Sequence, residues 1–183
     1  DNLERTTQGG GIYTYTSQQG AAAFRDTGSF DAAGSLSQEN AEAFCRDFCK
    51  AFSYDTPIFS LDETGSGTAT AVRLWNGTPV FNAAVTFTID QGRVLSASGA
   101  LLPETGAETS SGQKPLSAFA ALTAFQQMRH ASSSVVSSIT EVSLCYELQS
   151  TTAAPMALVP SWRIVTDTAT FYVNCISGTV RRA

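Results

Sequence analysis

Leu102 to Pro115 reads LPETGAETSSGQKP. The stretch is polar and is closed by Pro103 and Pro115. It separates two segments of similar pattern, so its reading decides whether the chain is one unit or the same unit written twice. Upstream, LSQENAEAFCRDFCKAF places Ala41, Phe44, Cys45, Phe48, Ala51 and Phe52 on one stripe at helical spacing. Ser35 or Ser37 is the expected N-cap. Three alternating runs follow, TATAVRLW, VFNAAVTFTI and RVLSASGALL, parted by NGTP and DQG. Those are the turn signals of an antiparallel meander.

Downstream the order recurs. Pro115 opens a second helix with Ala118, Ala121, Leu122, Phe125 and Met128 as its stripe. Three strand-like runs come next: SSITEVSLCYEL, VPSWRIVT and TATFYVNCI. Each half starts with Leu-Ser, at Leu36-Ser37 and Leu116-Ser117. The start of the chain has its own alternation, GIYTYTS, with Gly11, Gly20 and Gly28 as hairpin punctuation. The expected fold is α+β, with two tandem helix-plus-antiparallel-meander (αβββ) units preceded by a short β-hairpin or meander. The expected bounds are an N-terminal meander over 1–35, a first unit over 36–103, a linker over 104–114 and a second unit over 115–183. Either two sheets on a shared core or one continuous sheet fits this pattern.

Within the junction, Leu102–Gly106 also spells the pentapeptide by which sortases attach bacterial surface proteins to the cell wall. Such a signal must be followed at once by an apolar span and a basic tail. Here Ala107 to Pro115 is polar and a second folded pattern follows. The match is a turn between the two units.

The 183 residues are 43% hydrophobic and 15% charged, with 16 acidic and 11 basic side chains and a net charge of -5. A chain of this size buries roughly 70% of the surface its unfolded form exposes, enough for a core without a metal or disulfide staple. No basic run exceeds Arg181-Arg182, which argues against nucleic acid. No stretch reaches the length of a membrane helix. Low charge with abundant Ser, Thr, Ala and Gly is common among exported bacterial proteins. The first residue is Asp1 in a polar stretch, without an initiating Met. The expectation is a mature form or fragment whose signal or membrane anchor lies upstream.

A reactive centre is harder to find. His130 is the sole histidine and falls in QMRHASSS, where a helix C-terminus favours a cation without any catalytic role. Cys45 and Cys49 stand one helical turn apart, where a bridge would strain the helix, and read as buried thiols. Cys145 and Cys175 lie in strand-like runs and can pair only if those strands are neighbours. The four cysteines form no C-x-x-C pair, so zinc spacing is missing. Ser111 to Lys114 matches S-x-x-K but precedes Pro115, where no helix is expected, and its companion motifs are absent. Asp62-Glu63 reads as a solvated turn, and Glu104 and Glu108 lie in the linker. Asn76-Gly77-Thr78 is a sequon by letter and a hairpin turn by context. Trp75 and Trp162 read as packing residues. No catalytic, cofactor-binding or metal-binding residue is assigned, no cofactor is expected, and the surface is expected to bind a protein at residues the sequence does not name.

A family resemblance rests on ITEVSLCYEL (Ile139–Leu148), LVPSWRIV (Leu158–Val165) and FYVNCISGTV (Phe171–Val180). NGTPVFNAAVTF (Asn76–Phe87) and the leading YTYTSQQGAAAFRDTGSF add to it. These stretches resemble the YycH/YycI group of regulatory proteins and, more loosely, the PepSY-like fold, to which the second unit is the nearer. Cys145 and Cys175 replace small residues of that pattern. The resemblance implies a bacterial, membrane-anchored, extracytoplasmic domain on one N-terminal helix upstream of Asp1. It implies a non-enzymatic regulator in a two-component system. Its partner would be the ectodomain of a membrane sensor histidine kinase, or a related regulator, in cell-wall homeostasis. The alternative is a PepSY-type module that inhibits or chaperones a secreted protease. A cell-wall hydrolase would need fixed polar groups around His130 or Glu63.

Overall fold

The structure is a computed structural model. It describes residues 4–8, 12–17, 20–34, 40–103, 112–132, 135–150 and 156–183. Four leading strands, β1 (Glu4–Gln8), β2 (Ile12–Ser17), β3 (Gly20–Arg25) and β4 (Ser29–Gly34), precede helix α1 (Ala41–Ala51). Then come β5 (Ile58–Leu61), β6 (Gly67–Trp75), β7 (Thr78–Asp90) and β8 (Arg93–Ala100). After helix α2 (Ala118–Ser132) follow β9 (Ile139–Gln149), β10 (Ala157–Thr166), β11 (Thr170–Asn174) and β12 (Val180–Arg182).

The expectation of two tandem αβββ units behind a separate hairpin is overturned. The chain is mostly strand, with two helices among the described residues, and its 12 strands hydrogen-bond into one mixed sheet. The main path runs β1-β2-β3-β4-β8-β7-β9-β10-β11-β12, with β6 and β5 branching from β7. Long-range pairing makes the difference. The leading strands join the sheet because β4 pairs with β8, Phe30 opposite Gly99. The short β5 adds a strand to β6 outside the three alternating runs read from the sequence. Every pairing is antiparallel except that of β7 with β9, where Val80 lies opposite Tyr146. Residues 104–111, most of the expected linker, lie outside the described residues.

The β7–β9 junction grows out of a bulge. Val72 of β6 pairs with Ala84, but Arg73 pairs with Val80, so Phe81 to Ala83 leave the β6 ladder. The buried residues of β7 record the slip: a step of three from Val80 to Ala83, then alternation through Val85, Phe87 and Ile89. Asn82 sits in that step. Its amide nitrogen donates to Leu148 O and its amide oxygen accepts from Leu148 N, both at 2.7 Å. One side chain thus takes the place of a neighbouring strand's backbone. Phe81 stacks on Tyr172 with ring centroids 3.7 Å apart, and Arg181 lies 5.3 Å above the Phe81 ring. Arg181 also pairs with Glu147 at 2.7 Å.

Each helix covers its own stretch of sheet. Asn40, rather than Ser35 or Ser37, caps α1, its Oδ1 accepting from Ala43 N at 3.0 Å. Asn is as good an N-cap as Ser, and its position one residue before the first buried Ala41 decides the matter. Ala41, Cys45 and Cys49 are buried, and Phe44 and Phe48 meet Phe87 edge-on at 6.3 and 5.3 Å. Phe52, expected on the inner stripe, is 41% exposed because the helix has ended. Beneath α2, Ala121, Phe125, Ile164, Phe171 and Val173 form a second buried cluster. Val80, Ala83 and Leu102, packed by Tyr146 and Leu158, form a third at the junction.

Candidate functional site

The residues weighed for chemistry lie far apart in character. His130 is exposed near the end of α2, 3.5 Å from Gln126 Nε2. Asp62 is exposed in the β5–β6 turn, where Thr64 Oγ1, Ser66 N and Thr64 N all donate to its Oδ1. Those bonds, the Thr64 hydroxyl first, hold its carboxyl below the usual carboxylate range. Glu63 is exposed beside it. Among the described residues no group of three or more His, Cys, Asp and Glu could hold a metal. Ser111, Glu104 and Glu108 lie outside the described residues, and Lys114 is exposed.

All four cysteines are free and buried. Cys45 and Cys49 face the first core, and burial pushes both thiols up to about 11. Cys145 donates to Ser161 O at 3.2 Å and is pushed up to about 12, again chiefly by burial. Cys175, which could bridge to it only from a neighbouring strand, is also free, though near enough to raise the Cys145 thiol further. β10 lies between β9 and β11, and two strand spacings of about 4.8 Å exceed the reach of a disulfide. Asn76 and Gly77, with φ of 49° and 77°, form the two-residue turn that joins β6 to β7. Trp75 packs into the junction cluster. Trp162 packs into the α2 cluster and donates Nε1–H to Leu116 O at 2.9 Å.

That last bond belongs to a surface feature the sequence did not name. Leu116 also donates its N–H to Cys175 O at 2.8 Å, so the approach to α2 is tied to β10 and to the turn after β11. Ser117 then caps the helix, its Oγ accepting from Ala120 N at 3.3 Å. With Ala121 and Phe125 turned inward, Phe119 points out and is 80% exposed. The facing wall is the β11–β12 turn. Asn174 Oδ1 accepts from Ile176 N at 2.8 Å and Ser177 N at 2.9 Å, and Gly178 closes the turn at φ +74°. A side chain at Gly178 would be strained at that φ. Ile176 is therefore held outward, 39% exposed.

Between the walls lies a shallow open groove of about 460 Å³. Phe119, Ala120, Thr123, Ala124, Ile176 and Gly178 line it, and none of its lining residues is ionisable. Exposed large apolar side chains beside small neutral ones suit the burial of a partner's apolar side chain. The signal in the sequence was α2 itself: AFAALTAF carries apolar residues on more faces than one sheet can cover.

No protein-family model matches the chain. No curated protein matches it. Among solved structures it is similar to the C-terminal domain of YpeB from Bacillus megaterium, at 12% identity and a TM-score of 0.47, over 99% of this chain and 88% of that one. It is also similar to an uncharacterized protein from Eubacterium rectale, at 12% identity and a TM-score of 0.47, over 99% of this chain and 71% of that one. Neither likeness singles out the YycH/YycI group.

Proposed function

We propose that the chain is a non-enzymatic, PepSY-like interaction domain that works on the outer face of a bacterial membrane. Its partner on this reading is the ectodomain of a membrane sensor histidine kinase, whose signalling it regulates. The motifs in Ile139–Leu148, Leu158–Val165 and Phe171–Val180 support the class. The observation that carries the reading is the neutral groove beside α2, with Phe119 80% exposed at its lip. Aromatic side chains, Phe among them, are enriched at the cores of protein interfaces, and Phe119 left in water on a helix offers such an anchor.

The test is binding of the folded domain to purified sensor-kinase ectodomains from the same genome, followed by biolayer interferometry. The expected result is saturable binding to one ectodomain, weakened at least tenfold by Phe119→Ser with the melting temperature unchanged. Binding that ignores Phe119→Ser, or none to any ectodomain, overturns the reading. Inhibition of a secreted protease in a cleavage assay, without kinase binding, replaces it with the protease-directed alternative.

A further inference from the structure

Charge is unevenly divided between the two ends of the molecule. Residues 1–103 carry eleven acidic and six basic side chains, residues 104–183 carry five of each, and the described residues 112–183 carry three acidic and five basic. The three acids are already engaged. Glu141 pairs with Arg163 at 2.8 Å, Glu147 pairs with Arg181 at 2.7 Å, and Asp167 accepts from Ser137 N at 3.1 Å. Lys114, Arg129 and Arg182 form no ion pair among the described residues. α2 itself contains no Asp or Glu.

Two of these cations, Lys114 and Arg182, lie beside the groove. Lys114 stands two residues before Leu116, which lines it, whereas Arg129 is turned to Val136, whose carbonyl oxygen accepts from its Nη1 at 3.0 Å. Arg182 lies opposite Phe171 in register, on the sheet face that α2 covers. The site is therefore an uncharged apolar slot with a basic rim, on a protein whose net charge is -5. An apolar side chain flanked by acidic residues matches both parts, the anchor in the slot and the carboxylates on the rim. A basic segment would be drawn instead to the opposite, acidic end.

We infer that the α2 groove receives a peptide segment of a partner protein in which an apolar side chain is flanked by acidic residues. This rests on the interaction-domain reading and names the chemistry of the segment that reading leaves open.

The experiment uses two fluorescein-labelled peptides of equal length with the same Leu-Phe centre, one flanked by Glu and one by Lys, titrated into the folded domain by anisotropy. The Glu-flanked peptide binds about tenfold more tightly at low salt, and its advantage shrinks as NaCl is added. Phe119→Ser weakens both peptides. The pair Lys114→Glu and Arg182→Glu removes the preference but keeps the dependence on Phe119. Because all three side chains are exposed, each variant is first required to melt with the parent. Equal affinity for the two peptides, preference for Lys, or binding blind to Phe119→Ser overturns the inference. So does tighter, Phe119-dependent binding to phosphatidylserine vesicles, which would make a lipid surface the occupant. If a kinase ectodomain binds through Phe119 and the Glu-flanked peptide does not, this inference falls and the proposed function stands. If the peptide binds and no ectodomain does, the reverse holds.

Discussion

Cys45 is wholly buried and Cys49 nearly so, one turn apart on the inner face of α1. Their thiols are raised from 9.0 to about 11, first by burial, and for Cys45 next by the neighbouring Cys49. A thiol with a raised folded pKa binds its proton more tightly when folded. The stabilisation is complete below pH 9.0 and is lost as pH climbs toward about 11. Urea unfolding across that window therefore shows the midpoint of the parent falling more steeply than that of the double variant Cys45→Ala, Cys49→Ala. The double variant starts lower, because two buried side chains have been shortened, so the comparison is of slopes. Parallel declines would mean the thiols do not titrate as burial requires. At this scale much was legible in the sequence. The i, i+4 spacing alone said that Cys45 and Cys49 share a face and stay unbridged. For Cys145 and Cys175 it could say only that neighbouring strands were needed, since which strand lies between them is a property of the sheet.

Both helices could be read as elements, because a stripe of apolar residues at helical spacing is local information. Their ends were read less well. Asn40 rather than a serine caps α1, and Ser117, two residues past Pro115, caps α2. Strand partners were beyond reach for a different reason: alternation names a buried face but no neighbour. Gly99 shows the difference. In the sequence it is one small residue among SASGA; in the sheet it lies where β8 runs between β4 and β7, opposite Phe30 and Val85. A Cβ built there would strike Ala84 O and come within 2.9 Å of Val85 Cα, both backbone atoms of β7. Backbone cannot swing aside as a side-chain tip can, so Gly99→Ala must spread the β7–β8 ladder. The expected loss is about 1–3 kcal/mol, measured as a lower urea midpoint with an unchanged m-value. A neutral or stabilising effect would show that β8 sits further from β7 than the structure has it. The groove beside α2 was legible only in part. The surplus of apolar residues in AFAALTAF was visible, but the opposing wall of Ile176 and Gly178 comes from a turn that only the fold brings near.

Across the whole molecule, continuity depends on very little hydrogen bonding. Among the described residues, the part of the sheet under α1 and the part under α2 meet through one parallel bridge, Val80 to Tyr146, and through the side chain of Asn82 on Leu148. Packing supplies the rest. Phe81 stacks on Tyr172, and the junction cluster draws Val80 and Ala83 from β7 and Tyr146, Leu148 and Leu158 from β9 and β10. Each larger cluster, one around Phe87 and the other around Phe125, belongs to one helix, so each holds its own end of the molecule together. Cooperativity between the ends must then pass through the junction. The parent chain is expected to unfold in one calorimetric transition, and Phe87→Ala, which removes a fully buried ring, to lower the stability read from it by about 3–5 kcal/mol. Taking away the junction should separate what it couples. In the double variant Phe81→Ala, Asn82→Ala the stack and both amide bonds are gone while the two large clusters are untouched. Two transitions are expected there, and adding Phe171→Ala should then lower only one of them. The discriminating measurement is the ratio of calorimetric to van't Hoff enthalpy, near one for the parent and clearly above one for the junction variant. A single transition with a ratio near one in both proteins would mean that the ends communicate by some route other than the β7 bulge.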